Sequence, residues 1–179
     1  MPYTFGNVTK DGTKSFGGTK SYFLYCLKSE ITNTNPLEIK TTISNNADAA
    51  HLNEAVTFGS GDGWKKVEGT VDMSMFKAET IGVRDTTGKK KTAQFRHPGN
   101  AAEALAFGNQ IENKDVLVLV PDNNGQYFFM GTDGLEAQIK STFDTKKVSE
   151  GDTGLVFDIE AFGKGVCIYP AAYAITMQS

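Results

Sequence analysis

The sequence predicts a mainly β protein, a β-sandwich or partial β-barrel with one flanking α-helix. Three observations carry that reading. Nineteen glycines against five prolines suit many turns between strands, and twelve Phe and six Tyr suit a pleated, half-buried surface. Residues 114–134, KDVLVLVPDNNGQYFFMGTDG, read as a hairpin. Alternation of apolar and polar residues recurs in several further segments.

The hairpin is the clearest element. Val116 to Val120 is an apolar run too short for a typical helix, so it reads as a buried strand. Asp122, Asn123, Asn124 and Gly125 supply the turn, because Asn-Gly favours positive φ. Gln126 to Met130 pairs back as an aromatic strand, and Gly131 and Gly134 punctuate the exit.

In chain order, residues 1–20 are polar and glycine-rich and read as an extended arm. Ser21 to Leu27 is a buried strand. Leu37 to Ile43 alternates and reads as a half-exposed strand. Residues 44–64 form a long irregular loop, a length usual for functional, interacting or disordered segments. Trp64 closes it as a core or rim aromatic, with a partner contact as the lesser alternative.

Lys65 to Lys77 shows the cleanest period of two. One long strand follows, with Val67, Gly69, Val71, Met73 and Met75 on a buried face and Lys66, Glu68, Thr70, Asp72 and Ser74 on a solvated one. Glu68 and Asp72 are then roughly 13 Å apart along the strand, too far for paired-carboxylate chemistry. Lys89, Lys90 and Lys91 read as an exposed turn, and Thr92 to Arg96 as a short strand ending at His97-Pro98.

Asn100 to Asn113 is the one helix, with Asn100 as its cap, Glu103 in capping-box spacing, and Ala101, Ala104, Leu105 and Ile111 sharing a face. Leu135 to Phe143 alternates loosely. Asp144 to Thr153 is a polar turn, with Gly151, Asp152 and Gly154 as its structural residues. Gly154 to Phe162 and Val166 to Tyr169 are the last strands.

A chain of 179 residues suits a single domain, 1–179. The formal charge of -3 argues against a nucleic-acid-binding face but leaves room for a surface past which nucleic acid slides. No apolar run approaches a membrane span, and the N-terminus lacks signal-peptide features. Cys26 and Cys167 read as buried free thiols, with a disulfide as the minor alternative. His51 and His97 have no ligand-spaced partners. No nucleophile elbow, phosphate loop or dinucleotide fingerprint occurs. Asp122-Asn123-Asn124-Gly125 lacks the remaining ligands of a calcium loop and reads as a plain turn. No catalytic, cofactor-binding or metal residue is assigned, and an enzyme is the least favoured class.

Four features in order resemble the tail tube proteins of tailed bacteriophages, of the kind carried by Bacteroidetes phages and prophages. Gly17 and Gly18 precede the aromatic strand SYFLYCL. A long alternating strand follows an irregular loop. A helix leads into VLVLVPDNNGQYFFMGTDG. The late turn SEGDTGLVFDIEAFG enters a strand, and the chain closes near YPAAY. The resemblance implies hexameric rings stacked into a tube, with other tail proteins as neighbours and DNA passing through the lumen without specific binding. It implies a virion component made in the bacterial host cytoplasm, no cofactor, and no membrane partner. Segment 44–64 then becomes an inter-subunit loop, and Glu68, Thr70, Asp72 and Ser74 line the lumen. The competing readings are a capsid decoration or head-completion protein, and a carbohydrate-binding sandwich using aromatics such as Trp64 and Tyr127.

Overall fold

A computed structural model describes residues 17–71, 73–132, 134–146 and 153–178. The strands are β1 (Tyr22–Leu27), β2 (Lys65–Glu68), β3 (Met75–Ile81), β4 (Gly88–Pro98), β5 (Val116–Pro121), β6 (Tyr127–Met130), β7 (Gln138–Asp144), β8 (Gly154–Gly163) and β9 (Cys167–Tyr169), with helix α1 (Ala102–Ile111) between β4 and β5. They form two antiparallel sheets, β2-β1-β5-β6-β9 and β3-β4-β8-β7. The architecture is a β-sandwich with one helix.

Burial explains the sequence of β5. Val116, Val118 and Val120 enter the core between the two sheets, beside Phe23, Phe95, Phe157 and Ile159. Leu117 and Leu119 enter a second core on the far side of the same sheet, with Leu24, Cys26, Phe129 and Tyr169. Both faces of β5 are covered, so the strand is a continuous apolar run rather than an alternating one.

The second core is covered by irregular chain. Leu37, Leu52, Val56 and Trp64 are buried there. The layer is tied down by Tyr173, whose hydroxyl donates to the carbonyls of Leu52 and Asn53 at 3.2 and 3.0 Å. Trp64 donates its backbone N–H to Thr176 at 2.8 Å, and its ring packs edge-on against Phe58 and Tyr169. Segment 44–64 thus packs within the subunit, which is not the arrangement expected of a loop reserved for other subunits. It carries one short 3-10 turn, Asn46–Ala50. The Asn45 side chain accepts from the N–H groups of Ala47 and Asp48, and the Asp48 carboxylate accepts from Ser44 and Asn45. Leu37 to Ile43 is no strand either. Only Ile39 makes a bridge, to Leu52, because this segment packs into the covering layer rather than a sheet.

Lys65 to Lys77 is broken where one strand was expected. The Gly69 N–H donates to Ser21, extending the pairing with β1, and the next N–H, Thr70, donates to Arg96 of β4. The chain therefore changes sheets at Gly69-Thr70. In β3 the core-facing residue is Phe76, which stacks on Phe128 at 4.5 Å. Val71, Met73 and Met75 are exposed, the reverse of the expectation. A one-residue change of phase moves a whole apolar set to the other face.

Lys89 to Lys91 do not form a turn. They lie in β4, an eleven-residue strand paired with both β3 and β8. Lys91 faces inward in phase with Ala93 and Phe95 and is 1% exposed. Helix α1 starts without a side-chain cap, and Ala101 stands at the capping position, so Asn100 and Glu103 form no capping box. Its buried face includes Gly108, where an added Cβ would stand 2.9 Å from Ser141 Oγ of β7. Phe107 reaches between the sheets to Tyr25 and Phe157. The helix ends at Ile111 with Glu112 at the capping position, two residues short of the expected end at Asn113, which has φ 61°.

The hairpin holds. Asp122 is buried, and its carboxylate accepts from the N–H groups of Asn124 at 3.0 Å and Gln126 at 2.7 Å. These backbone bonds make the Asp122 side chain a turn former. Gly125 has φ 88°. Of the expected N-terminal arm, residues 17–20 lie along this hairpin. Asn123 donates its side-chain amide to Gly17 and Lys20 donates its N–H to Pro121. Residues 1–16 lie outside the described residues. Cys26 and Cys167 are free and buried, and burial pushes the Cys167 thiol up to about 12.

Candidate assembly surface

Among the described residues no layer covers the outward face of β3-β4-β8-β7, and the register sets its rows. Met75, Gln94, Asp158 and Lys140 are aligned across the four strands, as are Lys77, Thr92, Glu160 and Gln138. Strand alternation puts them opposite the core-facing Phe76, Ala93, Ile159 and Ile139.

The face is charged but balanced. Lys77, Lys90, Arg96 and Lys140 alternate in space with Glu79, Asp144, Asp158 and Glu160. Lys90 Nζ lies 2.8 Å from Glu160, and Lys77 Nζ 2.5 Å from Glu79. The Gln94 amide donates to Asp158 at 2.7 Å. The Lys77 ammonium holds the Glu79 carboxyl below the usual range, and the Lys146 backbone N–H does the same for Asp144. Exposed pairs of this kind contribute little to stability, but they leave few cations available to an approaching polyanion.

The edges of this sheet are β3 and β7. β3 and its flanks expose Val71, Met73, Met75, Ile81 and Val83, with Val71 and Val83 at 75% and 73%. Phe143 is exposed at the β7 edge. Among the described residues nothing pairs with the outer side of β3, and a seven-residue edge strand bordered by exposed apolar side chains invites further strand pairing.

Of the four residues expected on a lumen face, three are described, and only Glu68 of these lies in a strand. Glu68 ends β2 in the five-stranded sheet, paired with Lys66 at 2.5 Å. The Lys66 ammonium holds its carboxyl below the usual range. Thr70 and Ser74 are half-buried in the sheet-to-sheet crossing, and Asp72 lies outside the described residues. Of the structural turn residues, Asp122, Asn124 and Gly125 build the hairpin turn. Gly131 and Gly134 both have positive φ in the exit. Gly154 begins β8, and Gly151 and Asp152 lie outside the described residues. The polar face that the structure does present had a partial signal in the sequence, the alternation of Asp158 and Glu160 with Phe157, Ile159 and Ala161. Thr92, Gln94 and Arg96 lie in the expected short strand, whereas the part contributed by Lys90 was hidden by reading the lysine run as a turn.

Among the described residues, no group of three or more His, Cys, Asp or Glu is placed to hold a metal ion. No helix of the described residues is long and apolar enough to cross a membrane. Comparison with protein-family models, with curated proteins and with solved structures found no match.

Proposed function

We propose that the protein is a structural subunit of a bacteriophage tail tube, forming hexameric rings that stack into a conduit for DNA. The observation that carries this reading is the pair of open edges on one four-stranded antiparallel sheet. With four alternating strands, β3 and β7 run in opposite directions. The β7 of one copy therefore meets the β3 of the next as an antiparallel neighbour, and the alternation continues from subunit to subunit. Such a head-to-tail contact makes a ring when its rotation closes.

The exposed Val71, Met75 and Val83 then become interface residues. In this ring the polar face, uncovered among the described residues, is the one placed toward the channel. The channel lining is consequently balanced in charge rather than acidic. Two of its lysines, Lys77 and Lys90, are occupied by Glu79 and Glu160, so DNA phosphates meet fewer available cations. The number of subunits per ring, the neighbouring tail proteins and the place in a virion tail come from the sequence resemblance alone.

The rival sugar-binding reading loses its main residue, because Trp64 is fully buried in the second core. The decoration-protein reading differs in the assembly it predicts. Negative-stain microscopy of the purified protein tests the proposal. Rings or tubes are expected, and they should be lost in Val71→Lys/Val83→Lys, which places charge beside an edge that must pair. A wild-type protein that stays monomeric at high concentration overturns it.

A further inference from the structure

Lys91 stands where an apolar side chain is expected. It faces inward on β4, flanked in register by Ala78 of β3 and Ala161 of β8, and the two small side chains leave room for its stem. It is 1% exposed. Its Nζ donates to the Phe129 carbonyl at 3.3 Å, and among the described residues no carboxylate pairs with it. An ammonium has three donors and a full charge, so one long carbonyl contact leaves it poorly compensated. Burial accordingly pushes the Lys91 amine down from its ordinary range.

The side chain lines a cavity of about 480 Å³ between the end of the sandwich and the covering layer. Ile39, Leu135 and Val166 supply apolar wall. Lys91 Nζ and Thr132 Oγ1 both approach the space beside Gly163, 3.6 and 3.8 Å from where a Cβ would stand. The other two lysines of the wall are already matched, Lys40 to Asp48 and Lys164 to Glu38, each at 3.4 Å. Among the described residues, Lys91 is the poorly compensated cation of this wall, near a hydroxyl, in a mainly apolar space.

We propose that this cavity binds a small amphipathic carboxylate, its anionic end on Lys91 and Thr132 and its apolar body against Ile39, Leu135 and Val166. A single negative charge fits better than a phosphate dianion, because Glu38 and Asp48 stand nearby and repel the second charge. The carboxylate can come from a free organic acid or from an acidic side chain of a neighbouring subunit. The inference stands apart from the tail-tube reading, since it concerns a cavity within one subunit.

The test is titration calorimetry of the full chain with hexanoate, and with 1-hexanol as the uncharged control. Hexanoate should bind one site at least about tenfold more tightly than hexanol, a difference of about 1.4 kcal/mol. Lys91→Met should abolish that preference. Leu135→Trp, at a half-exposed position of the wall, should weaken hexanoate binding while circular dichroism shows an intact fold. Hexanoate bound by isolated and assembled protein alike points to a free acid. Hexanoate bound only by isolated subunits, and slowing their assembly, points to a neighbour's carboxylate. Equal binding of hexanoate and hexanol, or wild-type binding by Leu135→Trp, overturns the proposal.

Discussion

The Thr70 N–H donates to the Arg96 carbonyl at 2.6 Å, one residue after the Gly69 N–H has donated to Ser21 at the same distance. Successive amides thus serve different sheets. The crossing is close, since a Cβ on Gly69 would stand 2.8 Å from the Arg96 oxygen. Gly69→Val should therefore destabilise the fold by about 1–3 kcal/mol, the usual range for forcing extra methyl groups into filled space. Val71→Ala, two residues on and exposed, should stay within about 0.5 kcal/mol. Urea unfolding of both variants checks the contrast, and equal midpoints would show that the crossing is not tight.

The crossing also marks the limit of what the sequence reveals. Alternation reports which side a residue faces, and it ran on through Gly69 without a visible break. It does not report which neighbour accepts the hydrogen bonds, and that is what changes here. The hairpin was legible because its signals are local, with Asp122 bonding to the backbone two and four residues ahead and Gly125 taking φ 88°. β5 was legible because both of its faces are buried. The inward placement of Lys91 was not, because a run of three lysines reads as solvated. Its period of two with Ala93 and Phe95 was the only sign. Likewise segment 44–64 has the composition of a surface loop, while its few apolar residues, Leu52, Val56 and Trp64, are the ones that close the second core.

That role makes segment 44–64 structural. Leu52 is fully buried, and Leu52→Ala should cost about 2–5 kcal/mol. Deleting residues 46–62 should unfold the covering layer and expose Leu117, Leu119 and Phe129. Thermal unfolding by circular dichroism, with a dye that binds exposed apolar surface, measures both. A deletion variant with a normal melting temperature and no dye binding would return the segment to the status of a free loop.

Lys91 predicts a pH dependence of stability. Its folded-state pKa is depressed by burial below the ordinary 10.5. Between the folded value and 10.5 the unfolded chain binds more protons, so stability rises with pH in that window. Below the folded value the full penalty of burying the charged amine applies. The titratable group whose charge would act on Lys91, the Cys167 thiol, is pushed up to about 12 and stays protonated through the window. Lys91→Met removes the charge while keeping an unbranched side chain. It should be at least as stable as wild type near neutral pH, with its advantage shrinking as pH rises toward 10.5. Denaturant midpoints taken across that range supply the check. Parallel curves for the two proteins would mean that Lys91 is not buried as a titrating amine.

The outward face of the four-stranded sheet gives the sharpest test of the lumen. Asp158 and Glu160 sit in its two central rows, and Glu160 is the partner of Lys90. Asp158→Lys with Glu160→Lys changes the charge by four units per subunit, as would Glu68→Lys with Asp72→Lys. The two double substitutions separate the alternatives. In the proposed ring, the first puts cations inside the channel, whereas Glu68 belongs to the covering sheet. Like charges facing one another across a narrow ring repel by roughly 1 kcal/mol per close pair in water, so ring yield of the first variant should fall at low salt and recover as salt rises. Assembled rings of that variant should retain DNA, with a steep dependence on ionic strength from released counterions. The Glu68 variant should assemble and release DNA as wild type does. If instead the Asp158/Glu160 variant forms rings normally at low salt and holds no DNA, this face lies on the outside of the assembly. Lysine substitution would then change only the outer surface charge, and the channel would have to be lined by another part of the subunit.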